Sequence, residues 1–297
     1  MNNKPLKVYS PSGVGDTLWP LQKLFPSTTR NFDLYTWSRN NKSSPFLLGL
    51  DRINSVNEFS EPFKGYTRYK IKAQESYNQY CSKNMSYFDE VDEVYLEANT
   101  FLENGNRLET FLPILPTQYK LPWKINDEDK KLIDDYTINQ NVIVLYTSNI
   151  ANNKLSKKEM GDWNFQTWID LTKTLFKTYP GIRIAWIGGK FDDCAIKEFD
   201  KELKGELITY HLDKPATYIL PLFRQCKCFI SYQSGMSCIS MSEDVPTYMM
   251  YFNHLDKLPW SICPPSSINN KSIYNPEFFG KSTISDVVNW VENHLKY

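Results

Sequence analysis

The chain is poor in histidine: three residues, His211, His254 and His294, are scattered over 297 positions. It carries no net charge, no C-x-x-C pair and no long apolar run. Each absence excludes something. The six cysteines, Cys81, Cys194, Cys226, Cys228, Cys238 and Cys263, have no zinc-ligand spacing to one another or to a histidine. They read as reduced, small apolar residues, and no metal is expected. A balance of 34 Lys and Arg against 34 Asp and Glu lacks the strongly basic footprint of a nucleic-acid-binding domain. No stretch approaches the ~18–20 uninterrupted apolar residues of a membrane span. The first ten residues lack the apolar core of a signal peptide, so the expectation is a cytoplasmic protein. No internal repeat of solenoid period is visible.

What is present argues for a folded core. The chain is 41% hydrophobic and 15% aromatic, with 17 Phe, 19 Tyr and 8 Trp. That composition excludes a mainly disordered chain. The length fits one large domain or two small ones. Charge is uneven along it: residues 1–72 hold 11 basic and 5 acidic side chains, and residues 73–136 hold 6 and 13. A basic first third can face an anionic partner or be plain solvated surface.

The chain opens with a strand at Lys7–Ser10, a tight loop from Pro11 to Asp16 and a helix over Thr17–Phe25, with Pro20 near its first turn. Strand, glycine loop, helix is how an α/β domain with a parallel sheet begins. Residues 30–120 give weak signals. Phe32–Trp37 and Val91–Leu96 read as strands by alternation. A boundary falls near 116–139, where Pro116, Pro122 and the charged run Asn126–Asp135 precede an apolar strand, Val142–Tyr146. From there strands and helices alternate. Helices are expected at 165–178, 195–203, 218–225 and 236–243, and strands at 182–187, 207–211, 226–231 and 247–252. That alternation is the signature of a doubly wound sheet. Ser285–Leu295 reads as an amphipathic helix. The chain is therefore expected to form two Rossmann-like doubly wound α/β domains, 1–136 and 137–280. A terminal helix, 281–297, is given room to pack back on the first. Ligands of such sheets bind at the carboxyl ends of the strands.

Three loops at predicted strand ends carry the chemistry. In Ser231–Cys238 a strand ends, Gly235 allows close backbone approach and a helix begins at Met236. Free amides and the helix dipole there favour an anion such as phosphate, and Ser234 and Ser237 can add hydroxyls. A plain capped helix fits the same residues. In the loop after 142–146, Ser148, Asn149, Asn152, Asn153, Lys154, Lys157 and Lys158 follow a buried strand. Clustered lysines beside a strand end suit a diphosphate or a solvated surface. Two such loops together point to a nucleoside diphosphate. Gly188 and Gly189 end a strand where a ribose can lie against the backbone, with Asp192 or Asp193 as acceptors, or make a plain turn. The first loop, Ser12-Gly13-Val14-Gly15-Asp16, is neither a dinucleotide fingerprint nor a P-loop, because Leu18 stands where the third glycine belongs and no Gly-Lys-Ser/Thr follows. It offers one carboxylate at a helix start. Asp16 is a general base for an acceptor hydroxyl or an N-cap.

Three segments resemble the GT-B glycosyltransferases, most closely the ADP-heptose:lipopolysaccharide heptosyltransferases and their relatives, glycosyltransferase family 9. K-V-Y-S-P-S-G-V-G-D-T-L-W-P-L-Q-K-L is similar to the family's strand, G-[IV]-G-D loop and helix. L-Y-T-S-N with K-K-E-M-G-D-W-N-F-Q-T-W-I-D-L is similar to its second-domain strand, lysine and W-P-x-x-x-W helix. F-I-S-Y-Q-S-G-M-S-C-I-S with V-P-T-Y-M-M-Y is similar to its D-[ST]-G-x-x-H helix start and following strand. The likeness covers roughly residues 5–25 and 142–252. Gln233 stands where the family usually has Asp, Cys238 where it usually has His, and Asp162 directly before Trp163 where it has the lysine.

The resemblance implies an inverting, metal-independent transfer of a sugar from a nucleotide-sugar donor to a saccharide acceptor hydroxyl, with no cofactor. It implies Asp16 as catalytic base, with Ser12, Gly13 and Gly15 beside the acceptor. It implies Ser148 and one of Lys154, Lys157 or Lys158 on the donor phosphates, with Ser234, Gly235, Met236 and Ser237 holding them from the opposite side. Gln233, where it departs from the family, is a candidate for the sugar hydroxyls, and Gly188 and Gly189 remain donor-side candidates from their own position. Alternatives are a modified-DNA or protein acceptor met by Phe32, Tyr35 and Trp37, a sugar-nucleotide epimerase or hydrolase, and a catalytically silent nucleotide-sugar-binding protein. A lipid-linked acceptor would place the protein at the periphery of a membrane.

Overall fold

The computed structural model describes residues 4–10, 14–37, 44–59, 71–76, 78–79, 87–96, 118, 120–147, 163–189, 193–232, 234–251, 274–278 and 282–295. The chain divides into two units. One comprises Met1–Ile125 with Pro215–Thr217 and Trp260–Cys263; the other comprises Asn126–Lys214, Tyr218–Pro259 and Pro264–Tyr297.

In the first unit the elements run β1 (Leu6–Ser10), α1 (Val14–Ser27), β2 (Phe32–Trp37), α2 (Ser44–Leu47), β3 (Ile53–Phe59), α3 (Tyr87–Glu90) and β4 (Glu93–Tyr95). The four strands are parallel, in the order β3-β2-β1-β4. Their sequences alternate. Leu6 and Val8 of β1 and Leu34 of β2 are buried, and Phe32 on the same face meets Phe25 of α1, ring centroids 5.2 Å apart. The opposite face carries Lys7, Asp33 and Glu93, then a row of tyrosines in register. Tyr9 stacks between Tyr35 and Tyr95, at 4.5 and 4.6 Å.

Helix α1 starts three residues before the expected Thr17, so Gly15 and Asp16 lie in its first turn and Pro20 lies inside it. Pro26 is also inside. A proline has no N–H to give the carbonyl four residues back, and the carbonyl that Pro26 frees, that of Gln22, accepts from Gln118 N at 2.8 Å. Two arginines take up backbone carbonyls at this same end of α1 and in the segments beside it. Arg52 donates to the Phe25 and Thr28 carbonyls and lies 4.5 Å over the Phe25 ring. Arg30, buried, donates to the carbonyls of Lys4 and Phe88 at 2.9 and 2.8 Å. These cations of the basic first third act inside the fold.

The second unit runs α4 (Asp127–Thr137), β5 (Val142–Tyr146), α5 (Phe165–Thr178), β6 (Arg183–Gly188), α6 (Asp193–Glu202), β7 (Ile208–Leu212), α7 (Ala216–Gln225), β8 (Cys228–Tyr232), α8 (Gly235–Ser242), β9 (Thr247–Tyr251), β10 (Tyr274–Phe278) and α9 (Ile284–Leu295). Its six strands are parallel, in the order β10-β9-β8-β5-β6-β7. Counted from β5, that is the doubly wound order 3-2-1-4-5-6. The central strands are buried: all of β8, and Val142 to Leu145 of β5. Strand β10 carries Pro276 on an edge, the position a sheet allows proline.

The charged run 126–135, given no element from the sequence, forms helix α4. Asn126 caps it, accepting from Glu128 and Asp129 N–H, and its first turn is acidic, as the helix dipole favours. Thr137 at its end bonds Gln225, and Arg183 donates to the Tyr136 carbonyl at 3.1 Å, so the helix belongs with the second sheet. The terminal helix α9, given room to reach the first domain, also belongs there. Val287, Val288, Trp290 and Val291 join the core formed with Trp163, Trp168 and Tyr248, and Tyr179 Oη donates to the Val288 carbonyl at 3.0 Å. Strands β3 and β10 were not anticipated. The other expected elements appear within a few residues of their expected bounds, and β2, β5 and α5 at those bounds. No helix among the described residues is long and apolar enough to cross a membrane.

Candidate nucleotide site

In the second sheet the strand order reverses between β5 and β8. Consecutive strands lead away from this seam on both sides, which leaves a crevice at its carboxyl edge. Residue Tyr146 of β5 faces Ser231 of β8 across it. Here two hydroxyls, Ser231 Oγ and Thr147 Oγ1, are buried and have no hydrogen-bond partner. A buried hydroxyl without a partner costs about 1–3 kcal/mol, and a ligand at this edge can supply the missing bonds.

Helix α8 begins beside them. Ser234 is its N-cap: Ser237 N donates to Ser234 Oγ at 3.3 Å, and Ser234 N donates to Ser237 Oγ at 2.9 Å. The Ser237 hydroxyl donates to the Ser234 carbonyl at 2.7 Å and is buried, so Ser237 builds the cap. The amides of Gly235 and Met236, the first two of the helix, have no acceptor among the described residues and stay open to an anion at the positive end of the dipole. Ser234, half-buried, stands with them.

The other side of the seam leads to α5. Asn164 caps that helix through Thr167 N, and Trp163 directly precedes the cap. Trp163, Trp168 and Tyr232 are buried together. Trp168 Nε1 donates to Tyr232 Oη at 2.8 Å, and Tyr232 Oη donates to the Trp163 carbonyl at 2.8 Å. Burial pushes the Tyr232 phenol up, so it stays neutral. Trp163 Nε1 in turn donates to the Ser282 carbonyl at 2.7 Å.

Of the residues proposed from sequence, the structure brings Ser234, Gly235, Met236 and Ser237 to one helix start. Gly188 and Gly189 end β6, one strand from the seam. Gly188 is the last residue of that strand, paired with Leu212, and its carbonyl accepts from Asp213 N at 2.9 Å. Ser12, Gly13, Ser148, Lys154, Lys157, Lys158, Asp192 and Gln233 lie outside the described residues. Asp16 and Gly15 lie in the first turn of α1, at the carboxyl end of β1. Next to them, Thr17 Oγ1 donates to Ser10 Oγ at 3.3 Å, and the buried Thr36 Oγ1 has no partner. Among the described residues no group of His, Cys, Asp and Glu is placed to hold a metal. Sequence reasoning missed Thr147, Ser231 and Tyr232. The signal was there: Ser231 and Tyr232 end one largely apolar strand, and Thr147 directly follows another.

Two parallel, doubly wound α/β units in one chain define a fold class shared by nucleotide-sugar enzymes. No family model matches the sequence, and no curated protein sequence does. Solved structures do match. One is the ADP-heptose lipopolysaccharide heptosyltransferase II of Escherichia coli, at 12% identity and a TM-score of 0.62 over 99% of each chain. A glycosyl transferase family 9 protein from Veillonella parvula matches at 10% identity and 0.60, over 100% of this chain and 99% of that one. A UDP-N-acetylglucosamine 2-epimerase, so described, from Listeria monocytogenes matches at 8% and 0.52, over 99% and 88%. The fold is therefore the GT-B fold of these glycosyltransferases and epimerases, and the glycosyltransferases among them are those that the sequence motifs resemble.

Proposed function

We propose that the chain is a glycosyltransferase that moves a sugar from a nucleoside-diphosphate donor to a hydroxyl of a saccharide acceptor, of glycan or lipopolysaccharide type. The observation that carries this reading is the α8 start at the β5/β8 seam, with two open amides and the unpartnered Ser231 and Thr147 hydroxyls beside it. That set suits the two phosphates of a nucleotide sugar. In the reaction the Asp16 carboxylate takes the proton of the acceptor hydroxyl. The oxygen attacks the anomeric carbon from the face opposite the nucleotide, the glycosidic C–O bond breaks, and the nucleoside diphosphate leaves with inversion. Negative charge grows on the leaving phosphate. The α8 dipole, the Gly235 and Met236 amides and the lysines of the 148–162 segment stabilise it without a metal. Ser148, Lys154, Lys158 and Gln233 complete the donor side, Gly188 and Gly189 its nucleoside end, and Ser12, Gly13 and Gly15 the acceptor side. The reaction belongs to the cytoplasm or to the cytoplasmic surface of a membrane.

Thermal shift with ADP- and UDP-sugars, with and without chelator, is the first test. A donor at 100 times its Kd stabilises by about 2.7 kcal/mol, and the shift is expected to survive chelator. Asp16→Asn should then cost at least ~10²-fold in transfer rate at unchanged donor affinity. No shift with any nucleotide sugar removes the donor site, and full transfer by Asp16→Asn removes the base. The likeness to a 2-epimerase supports a second reading, in which the same donor site serves sugar isomerisation without an acceptor. Recovery of an epimerised nucleotide sugar in place of a glycosylated acceptor selects it.

A further inference from the structure

The Tyr232 phenol does something the sheet does not require. Strand β8 is held by its ladders to β5 and β9, and a phenyl ring would fill the same space against Trp168, whose ring centroid lies 5.2 Å away. What the hydroxyl adds is a tie. It accepts from Trp168 Nε1 and donates to the Trp163 carbonyl, both at 2.8 Å, across 64 and 69 residues of chain. Tyr232 ends β8, two positions before the Ser234 cap of α8. Trp163 stands one position before the Asn164 cap of α5. Both helices start at the same carboxyl edge, on either side of the seam where the strand order reverses.

We infer that Tyr232 is a positioning residue for the donor. Its buried hydroxyl holds the start of α8 at a fixed place relative to the start of α5, so the anion site at the seam is set before a nucleotide arrives. This rests on the donor reading given above. Tyr232 touches no reacting atom. Its loss is a loss of preorganisation, which weakens binding and leaves the chemical step alone.

The test uses the full chain, with ADP and UDP as probes. Tyr232→Phe removes one oxygen and keeps the ring. It is expected to raise the Kd of the nucleotide that binds the wild type about tenfold, with far-UV circular dichroism unchanged. With a sugar nucleotide that the wild type turns over, KM should rise and kcat stay. Trp168→Phe strips the indole N–H that the phenol accepts and is expected to raise Kd about threefold; it serves if Tyr232→Phe does not fold. A lower melting temperature with unchanged Kd and KM would make the tie purely structural and overturn the inference while leaving the donor site standing. Failure of the wild type to bind either nucleotide overturns both.

Discussion

The two sheets of this protein solve the same problem differently. The second is buried on both faces: β5, β6 and β8 are apolar at nearly every position, and helices α4 to α9 complete the unit. The first has one apolar face, against α1, and one that carries Lys7, Asp33, Glu93 and three half-buried tyrosines in a stack. Parallel sheets usually bury both faces, and their strands then read as continuous apolar runs. The first sheet keeps the parallel pairing without that pattern. Its strands alternate like those of a sheet with one wet face, and on that face stacked rings take the place of aliphatic packing.

Three measurements sharpen or break this contrast. The largest effect belongs to Leu145→Ala in β5. The side chain is fully buried in the second core, and truncation should cost about 3–4 kcal/mol by urea unfolding. Lys7→Ala, at the matching depth of the first sheet's open face, should change stability by less than ~0.5 kcal/mol. Equal losses would dissolve the distinction.

Next comes pH. His211, buried at the edge of the second sheet, bonds Thr209 and Tyr218 and meets the Tyr136 ring edge-on. Burial, and then Lys214, push its imidazole down to about 4. The folded value lies below the ordinary 6.5, so the neutral ring favours the folded state. That contribution is complete above about pH 6.5 and drains away as pH falls towards 4, on the order of 3 kcal/mol in all. Unfolding at pH 7.5 and 4.5, repeated with His211→Gln, should show the pH-dependent loss shrink in the variant. An unchanged loss would assign the acid sensitivity to other groups.

A smaller loss than that of Leu145→Ala belongs to Tyr35→Thr, which removes one ring from the tyrosine row but keeps a good strand former. About 1 kcal/mol is expected, read as a small midpoint shift. A loss above ~3 kcal/mol would mean that this face is as much a core as the second sheet.

The same contrast explains what could be read from the sequence. The strands Val142–Tyr146 and Cys228–Tyr232 announce themselves because nothing on either face is wet, and α5 because its buried stripe of Trp168, Ile169, Leu171, Leu175 and Phe176 repeats at helical spacing. Strand β3, Ile-Asn-Ser-Val-Asn-Glu-Phe, hides because Ser55 and Asn57 belong to the open face. Helix α4 hides because only Ile133 and Thr137 point inward among eleven mostly charged residues. At the site, the α8 cap is local and legible in Ser234 and Ser237. The orphaned hydroxyls and the Tyr232 tie are not, because they exist only after residues far apart in the chain are brought together.

The seam between β5 and β8 has a further consequence, in time rather than space. Its registers join residues such as Ile143 and Cys228, so forming it closes a loop of roughly 85 residues, and the parallel ladders of this unit leave no hairpin to shorten that search. The β5–β6–β7 half has more local pairings and can assemble earlier; β8 must then dock beside β5 across the long crossover. The proposed donor site is not complete until that docking is done. A nucleoside diphosphate in the refolding buffer would therefore bind only the finished seam, slowing its reopening more than it speeds its closure.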